Sequence, residues 1–215
     1  MPIAYIKDIG PHTRLGVWKI DETEHLDGLC PPVVRSWLRE KCETRRNETF
    51  AVYALLHELT GRRDLIIAHE PSGKPFLQTL DGCTYQCQIS VSHTHGYASV
   101  IISSKRPVAI DIEYYSDRIM RIARRFLRPD EMDDIVHADN ALGNNAALTH
   151  LLIYWCAKET IYKLYSDEAL TFQNIRVNRI AEIESEGQTV CHNLILSETR
   201  VCHYTQNTEY VMTYY

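Results

Sequence analysis

Two stretches of this chain carry sustained helical spacing, and they begin about a hundred positions apart. In the first, 45–60, Phe50, Ala54, Leu55 and Leu59 recur near helical spacing and Gly61 is a plausible stop. In the second, 147–165, the run AALTHLLIYWCAKETIYKLY is the strongest helix pattern of the sequence. Each leads into strand-like runs: LIIAHE, QISVSHTHGYASVIIS and PVAIDIE after the first, and NIRVNRI, TVCHNLIL, RVCHYT and YVMTYY after the second. The chain therefore reads twice as a helix followed by strands, over 65–113 and again over 174–215. Long helices interleaved with short strands predict an α+β fold of two related subdomains, with an offset that hints at an old duplication.

Between these landmarks, RLGVWKI reads as a strand, DETEHLDGL as a polar link and PSGKPFL as a loop. PPVVRSWLREKCETRRNETFAVYALLHELTG is helical in composition throughout. A strand break is expected at SHTHG, and SDRIMRIARRFLRPDEMDDIVHA reads as a helix interrupted near Pro129. NALGNN reads as a turn or loop.

Composition narrows the classes. A chain of 215 residues, 45% hydrophobic and 24% charged, can bury a substantial core, which excludes disordered and fibrous classes. No apolar run approaches the ~20 residues of a membrane span. The start, MPIAYIKDIGPHTR, lacks the basic and apolar pattern of a secretion signal, so a cytoplasmic monomer is expected. Seven scattered cysteines suggest reduced, packed thiols and not a disulfide framework. A net charge of -5 argues against a general nucleic-acid binder, although arginines gather at 35–46 and 121–128.

The run VAIDIE, 108–113, raises a sharper question. In an extended chain Val108, Ile110 and Ile112 point one way and Asp111 and Glu113 the other. Either that acidic face is solvated, or a cation sits between the two carboxylates. On the second helix Trp155, Glu159 and Lys163 recur every four residues and share one face, where Glu159 and Lys163 read equally as a surface ion pair worth about 0.3 kcal/mol. If those two faces met, three carboxylates would crowd together and require a cation. Oxygen donors of this hard type suit Mg2+, which is usually bound by few carboxylates together with substrate phosphates.

Phosphate contacts could come from Lys74 in SGKP, which is not a Walker loop, from Ser92 and His93 in SVSHTHG, and from Arg45 and Arg46. Each also reads as an ordinary loop, structural or solvated residue. Cys83, Cys87, His93 and His95 supply four potential zinc ligands, but their spacing fits none of the common structural zinc patterns.

Taken in order, GKP, ISVSHT, AIDIE, RRFLRPDE and WCAKETIYK resemble the 4′-phosphopantetheinyl transferase superfamily, in its larger two-subdomain type that activates surfactin synthetase and similar enzymes. The resemblance spans about 45–165, and its AIDIE and WCAKETIYK elements lie some forty residues apart. It implies two similar subdomains in a pseudo-twofold arrangement, 1–107 and 108–215, each a long helix on a small, mainly antiparallel sheet, with the active site between them. It implies Mg2+-dependent transfer of the phosphopantetheine arm of coenzyme A to a serine of an apo acyl or peptidyl carrier protein, with release of adenosine 3′,5′-bisphosphate. Neither a nucleic acid nor a membrane is expected as a partner.

By motif, Asp111, Glu113 and Glu159 correspond to the metal carboxylates, and Glu159 and Lys163 to the catalytic pair. Lys158 and Lys163 would face phosphates. Arg46, Lys74, Ser92 and His93 would contact the nucleotide of coenzyme A. Glu131 matches an acidic position near the metal, and the serine proton would pass to Glu159, Glu131 or a water on the metal. Two departures stand out: Ala109 replaces the usual glycine of GIDIE, and Tyr53 stands where relatives often carry arginine. They motivate a rival reading, a weakened module that binds coenzyme A or a carrier without transfer; a Mg2+-dependent phosphohydrolase is a third. The arginines at 121–128 read equally as a docking surface for an acidic carrier and as a solvated helix face.

Overall fold

The computed structural model describes residues 3–20, 26–142, 144–166 and 170–215. The expected polar link DETEHLDGL therefore lies partly outside the described residues. The chain divides into two compact units, Met1–Val108 and Ala109–Tyr215.

In the first unit, β1 (Ile3–Gly10) and β2 (Thr13–Lys19) form a hairpin. Next comes α1 (Pro32–Leu38), which starts on a proline at the position where its missing N–H is not needed. The helical stretch expected from 31 to 61 breaks after α1 and resumes as α2 (Glu43–Thr60). Gly61, at φ +71°, closes α2, its N–H bonding His57 O at 2.7 Å. Then follow β3 (Leu65–His69), β4 (Pro75–Thr79), β5 (Thr84–Thr94) and β6 (Tyr97–Ser103). The strand break expected at SHTHG is a tight turn at His95–Gly96, with Gly96 at φ +76°. Ser92 and His93 consequently belong to β5 itself.

In the second unit, β7 (Ile110–Tyr114) is followed by α3 (Arg118–Phe126) and α4 (Pro129–Leu142). Then come α5 (Asn144–Leu164), β8 (Ile175–Val177), β9 (Glu186–Asn193), β10 (Glu198–Gln206) and β11 (Tyr210–Tyr214). The expected loop NALGNN is almost entirely helical, since α4 runs to Leu142 and α5 starts at Asn144; residue 143 lies outside the described residues. Among the described residues no helix is long and apolar enough to cross a membrane.

The first sheet runs β1-β2-β6-β5-β4-β3 and the second β7-β11-β10-β9-β8, with every neighbouring pair antiparallel. Both units follow one plan: a strand, a long helix, then a four-strand meander whose last strand returns to pair with the first. The plan is β2, α2 and β3 to β6 in one unit, and β7, α5 and β8 to β11 in the other. The fold is α+β with two similar subdomains, as the sequence led us to expect. One detail differs. PVAIDIE, which follows the first set of strands in the chain, supplies the opening strand of the second sheet, where β7 pairs with β11.

Each long helix packs against the strand that precedes it and against the strand that closes the meander. In the first unit Ala51, Leu55 and Leu59 of α2 join Trp18, Ala98 and Val100 in one buried cluster. Burial of each large aliphatic side chain there contributes roughly 1.5–3 kcal/mol. β2 and α2 approach so closely that a Cβ on Gly16 would stand 2.8 Å from Leu55 Cδ2. In the second unit Leu151, Leu152 and Ala157 of α5 pack with Phe126, Ile175 and Val211.

Candidate active site

The alternation read in VAIDIE holds, but its acidic face is not turned to solvent. Asp111 is 5% exposed and Glu113 only partly exposed. Both meet α5. Trp155 Nε1 donates to Glu113 Oε1 at 3.3 Å, and Lys163 Nζ donates to Asp111 Oδ1 at 2.7 Å and to Ile110 O at 3.1 Å. The every-four spacing of Trp155, Glu159 and Lys163 thus lays one helix face along β7. Lys163 pairs with a carboxylate 52 residues away, not with its helix neighbour Glu159.

Glu159 lies between those two contacts. Burial pushes its carboxyl up to about 7, the charges of Asp111 and Glu113 push the same way, and Lys163 opposes them. Cys156, fully buried on the same helix, has its thiol pushed well above its ordinary value by burial and by the charges of Asp111 and Glu113.

The donor set fits a hard divalent cation. Burial first, and then the charges of Asp111 and Glu113, raise the Glu159 carboxyl, and a cation beside them would offset both. Among the described residues no three His, Cys, Asp or Glu side chains are gathered into a closed metal cluster. Mg2+ asks for less, because substrate phosphates and waters usually complete its shell around one or two carboxylates.

Two expected ligand residues have other work. Lys158, expected to face a phosphate, is wholly buried: its Nζ is 2.7 Å from Glu131 Oε2 and donates to Phe172 O at 3.0 Å and Ile175 O at 2.6 Å. Burial lowers its ammonium pKa, and Glu131 opposes that shift. Glu131, expected near the metal, is 1% exposed and accepts from Arg128 N and Val177 N, each at 2.8 Å. The first of these is the reach-back of a capping box, with Pro129 opening α4 and Glu131 two positions further in. Two backbone donors and an ammonium thus hold its oxygens.

The nucleotide candidates belong to the first unit. His93 on β5 meets α2: Arg45 Nη1 stands 2.5 Å from His93 Nε2, and Glu48 Oε2 lies 3.4 Å from His93 Nδ1. Arginine can only donate, so Nε2 accepts and the ring proton sits on Nδ1, toward Glu48. Arg46, about 100° further round the helix, donates to Lys41 O at 3.1 Å. It lines a cavity of about 540 Å³ together with Arg35, Arg39 and Phe50. Lys74 is half-buried beside the Gly73 turn (φ +88°), and Ser92 is buried on β5. Sequence reasoning named both arginines but carried only Arg46 into the nucleotide site and did not name Glu48, whereas Arg45 and Glu48 are the pair that touch His93. Nothing in the spacing of α2 marks which arginine turns toward β5.

The two departures have plain surroundings. Ala109 is fully buried and its backbone pairs with Tyr215, its carbonyl accepting from Tyr215 N at 2.9 Å. Tyr53 is a buried strut whose hydroxyl accepts from Ile67 N at 3.1 Å, and burial pushes it up to about 12.

A family model described as the 4′-phosphopantetheinyl transferase superfamily matches residues 107–215, which hold β7, α5 and every carboxylate of this site. No curated protein matches the chain.

Proposed function

Because the chain belongs to the 4′-phosphopantetheinyl transferase superfamily, we propose that it transfers the phosphopantetheine arm of coenzyme A to a serine of an apo acyl or peptidyl carrier protein, in the presence of Mg2+ and with release of adenosine 3′,5′-bisphosphate. The observation that supports this reading is that α5 lays Trp155 against Glu113 and Lys163 against Asp111, with Glu159 between them on the same helix face and sensing both charges. Those three carboxylates would hold Mg2+. Bound there with the diphosphate, the ion would offset charge gathering on the leaving phosphate.

The remaining steps fall to the chain itself. Lys163 places an ammonium beside Asp111, where it can neutralise negative charge on the departing nucleotide. The serine proton would pass to Glu159, directly or through a water on the metal, or to Glu131. Trp155 holds Glu113 in place through its indole N–H. In the first unit Arg46, Lys74, Ser92 and His93, with Arg45 added, would contact the nucleotide of coenzyme A.

The test is incubation with coenzyme A, Mg2+ and a panel of apo carriers from fatty-acid, polyketide and peptide synthesis. A carrier that gains the mass of one phosphopantetheine arm supports the reading. Tight binding of coenzyme A with no mass gain on any carrier overturns it in favour of a binding module. Breakdown of coenzyme A with no carrier present overturns it in favour of a phosphohydrolase.

A further inference from the structure

The buried pair Lys158–Glu131 is tied to the site by an unbroken chain of contacts. Lys158 holds the carbonyl of Phe172. The ring of Phe172 packs on Trp155 with centroids 5.4 Å apart, and Phe126 closes the other contact of that indole at 4.9 Å. Trp155 in turn donates to Glu113. Glu131, on the other end of the ion pair, bonds the start of α4 through Arg128 N and strand β8 through Val177 N. The pair therefore fastens α4, the turn at Phe172–Asn174 and β8 onto α5 at the residue directly before Glu159.

We propose that Lys158 and Glu131 are positioning residues: a buried clamp that sets the rotation of α5 and the seat of Phe172, and through them the placement of Glu159 and Glu113. A wholly buried ammonium with three oxygen partners cannot turn toward a phosphate without abandoning two carbonyls and a carboxylate. Burial of both charges makes the clamp stiff, since any rotation of α5 separates them in a low-dielectric interior. Stiffness matters here because a misplacement of about 1 Å in a catalytic group can cost about 100-fold in rate.

The inference rests on the proposed transfer for its kinetic arm and not for its structural arm. Glu131→Gln, Lys158→Met and the double variant are compared with the unaltered protein. The first readout is fluorine NMR of ligand-free protein labelled with 5-fluorotryptophan, the Trp155 signal being assigned by Trp155→Phe. A clamp shifts or broadens the Trp155 signal in both single variants and leaves Trp18 and Trp37 in place. The second readout separates coenzyme A affinity from turnover on a carrier. Here a clamp lowers kcat by about tenfold or more in both single variants with the Kd for coenzyme A changed less than about threefold, and the double variant loses little beyond either single one.

Weakened coenzyme A binding in Lys158→Met alone, with binding unchanged or tighter in Glu131→Gln, would make Lys158 a phosphate ligand and overturn the proposal. An unmoved Trp155 signal overturns it as well, and so does a lowered melting temperature with normal kcat. Glu131→Gln keeps the side-chain shape and one of the two oxygens that accept from Arg128 N and Val177 N, and it decides the matter should Lys158→Met fail to fold. An unaltered protein that transfers nothing would sink the functional reading, while the Trp155 signal still tests the clamp.

Discussion

The two units share one plan and spend it differently. Where β2 meets α2, Gly16 and Trp18 face the helix and the seam is apolar, closed by Leu55 at a distance only glycine permits. Where β7 meets α5, the corresponding face carries Asp111 and Glu113, and the helix answers with Trp155, Glu159 and Lys163. One seam stabilises by removing apolar surface from water. The other crowds like charges, which costs stability until a cation joins them. A repeated scaffold can thus close the same strand–helix seam with apolar packing in one copy and with charged groups in the other.

The largest effect is expected on turnover. Asp111→Ala or Glu159→Gln removes a negatively charged oxygen donor and should lower transfer by on the order of 10³-fold, several kcal/mol of lost charge stabilisation, with the circular dichroism spectrum retained. Near-normal rates in either variant would erase the distinction between the two seams.

The next effect is on stability against pH in metal-free protein. The Glu159 carboxyl sits at about 7 in the folded chain against an ordinary 4.5, so the folded state binds the extra proton between those values. Its contribution is therefore present below about 4.5 and is lost as pH rises to 7, a fall of at most about 3 kcal/mol. Thermal melts from pH 5 to 8 should record that fall, and Mg2+ should flatten it. A flat metal-free profile would mean that neither burial nor the neighbouring charges raise the Glu159 carboxyl.

A smaller effect is expected from Lys163→Met, which leaves Asp111 buried without its ammonium. Because Lys163 is 28% exposed, solvent softens the loss to about 1–2 kcal/mol in denaturant melts, together with slower turnover. The smallest belongs to the apolar seam. Gly16→Ala places a methyl against the mobile end of Leu55 and should cost about 1 kcal/mol by overpacking, with transfer unchanged. A large loss of transfer there would show that the first seam also serves catalysis.

Much of the fold was legible in order and period. The helix over 147–165, the interruption at Pro129 and the four closing strands follow from apolar spacing and from a proline that cannot continue a helix. The break between α1 and α2 was not legible, because their shared composition favours helix on both sides. Pattern alone grouped β7 with the first set of strands, while the family resemblance, with its boundary at 108, put it in the second subdomain. Strand pairing is a long-range choice, and residues 110–114 find their partners at 210–214.

By itself the sequence determined which groups could act: two carboxylates on alternate positions of a strand, and a tryptophan, a glutamate and a lysine on one face of a helix. Period alone decides such faces. Only the tertiary structure decided which neighbours those faces meet. It turned the acidic face of β7 onto α5, and it sent Lys158, next in the chain to Glu159, into an ion pair with Glu131 in the core. Adjacent helical residues point about 100° apart, so the fate of each depends on what the packed chain places there.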